Sequence, residues 1–155
     1  VPPRTGCDIE NDTVIMLSQL SNIIGIKDAT GELARIDFLK GKVKSNFIFI
    51  SGDDLSFLEF MERGGCGVIS VTANVKPDLM HNICHTILSG DKEKSRIINN
   101  QLTSLHKAMF VDSNPIPVKW LLNYLGLINK GIRLPLVELD KKYQTNLIEI
   151  FEDIK

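Results

Sequence analysis

Apolar positions recur every three or four residues through much of the chain, and three short continuous apolar runs interrupt that rhythm. From Asn11 to Leu20 (NDTVIMLSQL), Val14, Leu17 and Leu20 fall at helical spacing behind the N-cap candidates Asn11 and Asp12. Ile23, Ile24 and Ile26, with Gly25 among them, form the first run, which ends on Lys27 and reads as a buried strand. GELARIDFLKGKV follows, with Leu33, Ile36, Leu39 and Val43 on one helical face. The second run is FIFIS, Phe47 to Ser51, closed by the turn residues Gly52 and Asp53. A helix with Leu55, Leu58 and Met61 on one face comes next, stopped by Gly64 and Gly65. The third run is GVISVT, Gly67 to Thr72. Strands near positions 23, 47 and 67, each pair separated by a helix, are the signature of successive βα units on a parallel sheet.

Beyond Thr72 the pattern is helical only. KPDLMHNICHTILSG has Pro77 near a helix start and Gly90 near its stop; DKEKSRIINNQLTSLHKAMFV, KWLLNYLG and DKKYQTNLIEIFEDI predict three more helices. The link SNPIP, Ser113 to Pro117, is expected to be non-helical because two prolines restrict themselves and the residues before them. The expected architecture is α/β, with βα units over 1–75 and a helical appendage over 76–155.

Composition narrows the function classes. At 155 residues, 43% hydrophobic and 24% charged, the chain has the make-up of one soluble globular domain. Its net charge of -1 gives no global field toward nucleic acid or anionic lipid, so neither partner is expected. No apolar stretch approaches the roughly 18 residues of a membrane span, and no signal-peptide pattern follows Val1. Cys7, Cys66 and Cys84 are too few and too odd in number for a disulfide framework, which points to reduced thiols in a cytoplasm. VPPRTG opens without an initiator Met, and the expectation is a fragment of a longer fold.

The chemical question lies at Lys27, a charged side chain at the end of an apolar strand. In a closed parallel barrel, reactive groups sit at the C-terminal ends of strands. A lysine held there in a low-dielectric wall loses part of its preference for the ammonium form and supplies free amine to attack a carbonyl as a Schiff-base nucleophile, with no metal or organic cofactor required. The bland alternative is a lysine whose stem packs and whose head reaches water.

Five ordered motifs decide between them. PPRTG (2–6), GIKDATG (25–31), SGDD (51–54), GVISVTANV (67–75) and NPIPVKW (114–120) together resemble the dihydrodipicolinate synthases, class I aldolase-like enzymes of the N-acetylneuraminate lyase superfamily. The resemblance runs over nearly the whole chain, weakest in the last helix. It implies the C-terminal part of a (β/α)₈ TIM barrel, its last three strands, followed by the family's C-terminal helices. It further implies that Lys27 forms an imine with pyruvate, that Gly52 and Ile69 line the pyruvate pocket through their backbone, and that Arg4 holds the carboxylate of L-aspartate 4-semialdehyde. Neuraminate lyases generally lack an arginine in that motif, so Arg4 favours the synthase. A planar guanidinium fork suits a carboxylate, and a glycine after a strand lets a small keto acid approach the backbone. The pathway implied is lysine and diaminopimelate biosynthesis. The alternatives are another pyruvate-dependent aldolase of the superfamily, or a non-catalytic remnant that only associates with another subunit.

The departures are equally specific. The family's proton relay of a threonine and two tyrosines has no counterpart here, because Tyr124 and Tyr143 both fall in the helical appendage. With five strands missing, the chain is expected to form a homo-oligomer or to need a complementary N-terminal half, since open parallel strands expose apolar edges. His81, Cys84 and His85 in HNICH have a spacing that zinc tolerates, but without a fourth ligand a packing face is the better reading. Asp53 and Asp54 are expected to cap the helix that follows them.

Overall fold

All three apolar runs enter one parallel sheet. In the computed structural model, which describes residues 1–154, strands β1 (Gly25–Asp28), β2 (Ile48–Ser51) and β3 (Gly67–Val68) lie side by side in chain order. The register sets Lys27 beside Ile50 and Ile50 beside Gly67. Gly25 interrupts the first run for a steric reason: a Cβ there would fall on the Ile48 carbonyl oxygen and within 2.9 Å of the Ile48 Cβ.

Helices α3 (Leu33–Lys40) and α4 (Phe57–Glu62) form the two crossovers, and α2 (Asn11–Ser18) precedes β1. Ile36 and Leu39 of α3, Val14 of α2, and Phe47, Phe49 and Phe60 build a core on one face of the sheet, with Ile26 packed against it. A larger core joins α4 to α5 (Pro77–Leu88), α6 (Lys92–Ala108), α7 (Ile116–Tyr124) and α8 (Lys141–Glu152). It runs continuously from Phe57 to Ile154 and includes Ile83, Leu102, Leu105, Leu121 and Leu147. The caps of α6 and α8 are aspartates: Asp91 accepts from the Lys94 amide and Asp140 from the Lys142 amide, each at 3.0 Å.

The structure corrects several boundaries. Ile24 lies outside β1 and is exposed, and β1 ends on Asp28, so Lys27 is the penultimate strand residue. The helix α2 is preceded by Glu10, without a side-chain cap, and of its predicted apolar face only Val14 is buried; Leu17 and Leu20 are exposed. Leu55 is also exposed, because Asp53 accepts hydrogen bonds from the Ser56 amide (2.9 Å) and hydroxyl (2.6 Å), closing a turn that delays α4 to Phe57. The predicted third strand keeps ladder geometry only to Ile69, whose amide donates to the Ser51 carbonyl at 2.8 Å. It then turns into a short 3₁₀ segment, Thr72–Asn74. Ile116 and Pro117 are helical after all, since a proline in the first turn needs no backbone donor. A four-residue helix, α1 (Pro2–Thr5), carries Arg4 and was not evident from periodicity. Among the described residues no helix is long and apolar enough to cross a membrane.

Candidate active site

Side chains alternate along a strand, so the register divides the sheet into two chemically different faces. Ile26, Phe49 and Val68 pack against the helices. Lys27, Ile50, Gly67 and Ile69 belong to the opposite face, on which Lys27 and Ile69 are exposed. The C-terminal ends of the strands open onto a cleft of about 1080 Å³. Arg4, Lys27, Gly52 and Ile69 all line it, as do Asp53 and Asn114, so every one of the five motifs contributes.

Arg4 reaches the cleft from α1, where its Nη2 donates to the Asn114 carbonyl oxygen at 2.8 Å across 110 residues of sequence. That contact ties the first motif to the last. The Lys27 side chain lies over Gly52: a Cβ at position 52 would fall on the Lys27 Cε and within 2.8 Å of the Ala29 Cβ. The glycine therefore makes the room the lysine stem occupies.

The expectation of a dry amine is not met within this chain, where Lys27 is exposed. Its side chain projects from the face of the three-stranded sheet opposite the helices. Tyr124 is exposed and stacks on Trp120, with ring centroids 5.7 Å apart, and neither Tyr124 nor Tyr143 lines the cleft. At HNICH, His81 and His85 are exposed with rings 6.1 Å apart, whereas Cys84 packs against the helical core, where burial pushes its thiol pKa up. Among the described residues no cluster of three His, Cys, Asp or Glu side chains has metal-binding geometry.

Two buried networks fix the strand ends, and sequence reading missed both. Asp28 accepts from the Thr30 amide (2.8 Å) and hydroxyl (2.7 Å), closing the turn that follows Lys27. Its other oxygen lies 3.6 Å from the buried Arg35 guanidinium, which also pairs with Asp8 at 2.6 Å and donates to the Ile9 carbonyl. The Arg35 hydrogen bond holds the Asp8 carboxyl below the usual range. The D-x-T spacing was the available signal; the Arg35 partner lies on a separate helix and gave none.

The second network corrects the reading of Asp54, which does not cap α4. Its Oδ2 accepts from the amides of Val71 (2.9 Å) and Thr72 (3.0 Å) and from the Thr72 hydroxyl (3.2 Å), and that hydroxyl lies 2.7 Å from His106 Nδ1. Burial lowers the His106 pKa below its ordinary value, against the pull of Asp54 and Asp53. A histidine whose folded pKa is depressed stabilises the fold above its unfolded value of about 6.5, and that contribution is lost as pH falls below it. Melting temperature is therefore expected to fall from about pH 6.5 downward, and His106→Asn is expected to remove that component.

The comparisons with known proteins agree on one family. The family model described as the dihydrodipicolinate synthetase family matches residues 1–154. The 4-hydroxy-tetrahydrodipicolinate synthase of Buchnera aphidicola subsp. Baizongia pistaciae is 50% identical over 143 residues, covering 92% of this chain and 49% of that protein. The Nitrosospira multiformis enzyme of the same name is 48% identical over 99% of this chain and 51% of its own length. Among solved structures, the chloride-inhibited dihydrodipicolinate synthase from Acinetobacter baumannii complexed with pyruvate superposes with a TM-score of 0.95 at 43% identity, over 99% of this chain and 53% of that one. This chain spans about half the length of the relatives it matches.

Proposed function

The chain belongs to the dihydrodipicolinate synthetase family, and from that membership we propose that it is the C-terminal part of a (β/α)₈ barrel synthase that condenses pyruvate with L-aspartate 4-semialdehyde on the route to lysine and diaminopimelate. The observation that carries this reading is the convergence of Lys27, Arg4, Gly52 and Ile69 on one cleft at the C-terminal ends of parallel strands.

In this mechanism the Lys27 amine adds to the keto carbon of pyruvate and water leaves, forming an imine. Loss of a methyl proton converts the imine to an enamine, and the former methyl carbon attacks the aldehyde carbon of the semialdehyde. The substrate's own amine then displaces Lys27 by adding to the imine carbon, which closes the ring and frees the lysine. Gly52 and the Ile69 backbone leave space for the keto acid, and Arg4 faces the semialdehyde carboxylate. Its hydrogen bond to Asn114 uses one arm of the fork and leaves others for substrate.

The exposure of Lys27, Ile24 and Leu20 favours a second chain that completes the barrel, either a complementary N-terminal half or a partner copy. The test is product formation from pyruvate and L-aspartate 4-semialdehyde, with and without the co-expressed N-terminal half of a relative. Activity in the combined sample supports the synthase reading. Turnover only with other aldehydes identifies a different aldolase, and no turnover in either sample leaves the associating remnant. Gly52→Ala is expected to raise the pyruvate concentration giving half-maximal imine trapping about tenfold, because the new methyl competes with the Lys27 stem.

A further inference from the structure

Asp54, Thr72 and His106 form a polar chain that touches no substrate in the mechanism above, yet it is among the most deeply buried polar groups in the protein, at 2%, 0% and 1% exposure. Its direction follows from hydrogen counting. The Thr72 hydroxyl has one proton to share between Asp54 Oδ2 and His106 Nδ1. If Nδ1 carries a hydrogen, the imidazole donates to threonine and threonine donates to aspartate, so the carboxylate oxygen receives three donors. Nε2, which is buried without a partner, is then a bare lone pair. The opposite order would bury an unpaired N–H and take one donor from a buried carboxylate, which costs more. A neutral imidazole with its proton on Nδ1 is the state that fits.

What this chain holds is functionally placed. The two amides bound to Asp54 follow immediately on Ile69 and Ser70, and Ile69, Ser70 and Val71 line the cleft. His106 sits on α6, 34 residues beyond Thr72 in sequence, and does not line the cleft. We propose that His106 is a positioning residue for the pyruvate pocket, acting through Thr72 and Asp54 to hold the Ile69–Val71 segment against the cleft. The pocket half of this statement rests on the reading of Lys27 as the imine-forming lysine.

The test compares the unaltered protein with His106→Leu, His106→Asn and Thr72→Val, each co-expressed with the N-terminal half of a relative. Two quantities are measured: hydrogen exchange at the Val71 and Thr72 amides, and the pyruvate concentration that gives half-maximal borohydride trapping at Lys27. His106→Leu and Thr72→Val, which break the chain at different links, are expected to speed exchange at these amides about tenfold and to raise the pyruvate requirement about tenfold. His106→Asn places an amide N–H near the Nδ1–H position and is expected to restore both quantities to within about threefold. Unchanged exchange in Leu and Val variants overturns the proposal, as does an Asn variant that behaves like Leu, which would leave His106 as packing alone. If nothing, the unaltered protein included, is trapped at Lys27, the imine reading fails, and amide exchange alone decides whether His106 positions the segment.

Discussion

Replacing Lys27 by methionine is expected to abolish covalent capture of pyruvate at position 27 while leaving the fold intact. The chemistry depends on a primary amine, and methionine keeps the length of the stem without one. Lysine to arginine makes a sharper comparison: the charge stays, but a guanidinium that remains protonated provides no free nucleophile, so this variant is expected to fail equally. Stability should change by less than about 0.5 kcal/mol in either variant, because Lys27 is exposed and among the described residues closes no ion pair. Electrospray mass measurement after borohydride reduction reads the first effect, and thermal melting the second. Retained capture in the methionine variant would move the chemistry to a different amine.

The largest effect on stability is expected from Phe57→Ala. Phe57 is fully buried at the start of α4, where it packs in the core shared with α5 and α6 and sets its ring edge-on to His106, with centroids 5.9 Å apart. Removing the ring forfeits its burial and leaves a cavity, at about 3–5 kcal/mol. For a domain of this size that lowers the melting temperature by roughly 6–20 °C, and it takes a large share of a total stability of about 5–15 kcal/mol. Leu55→Ala, two residues earlier, is the control: Leu55 is 54% exposed and its loss is expected to cost less than about 0.5 kcal/mol. Equal effects from the two variants would contradict the core described above.

The contrast between Phe57 and Leu55 also marks how far the sequence can be read. Periodicity identified the helix and the positions able to share a face, and the alternation of runs and helices gave a parallel sheet. What periodicity does not encode is whether a neighbour covers that face. Leu17, Leu20, Leu55 and Ile24 have the apolar spacing of core residues and are exposed all the same. The ends of β3 were misjudged for a different reason. GVISVT is apolar enough to extend as a strand, but the Asp54 carboxylate competes for its amides and turns the chain after Ile69.

The site divides in the same way. Arg4, Lys27, Gly52 and Ile69 were legible because each belongs to a short contiguous motif, and the cleft brings all four together. The residues that support them were not legible. Arg35 is 27 residues from Asp8, and His106 is 34 from Thr72; in isolation both look like ordinary polar positions on helices. Burial and long-range partners set them apart, and burial is a property of packing that spacing alone does not carry. The exposure of Lys27 has the same origin, since what packs beside a strand end is not encoded in the strand's own residues.

The most direct measurement is the site of pyruvate attachment. The protein is incubated with pyruvate together with a complementary N-terminal half, reduced with borohydride, digested, and the modified peptide sequenced by mass spectrometry. Attachment is predicted at Lys27 and not at Lys119, the other lysine lining the same cleft. Attachment at Lys119, or spread over surface lysines with Lys27 untouched, would contradict the account.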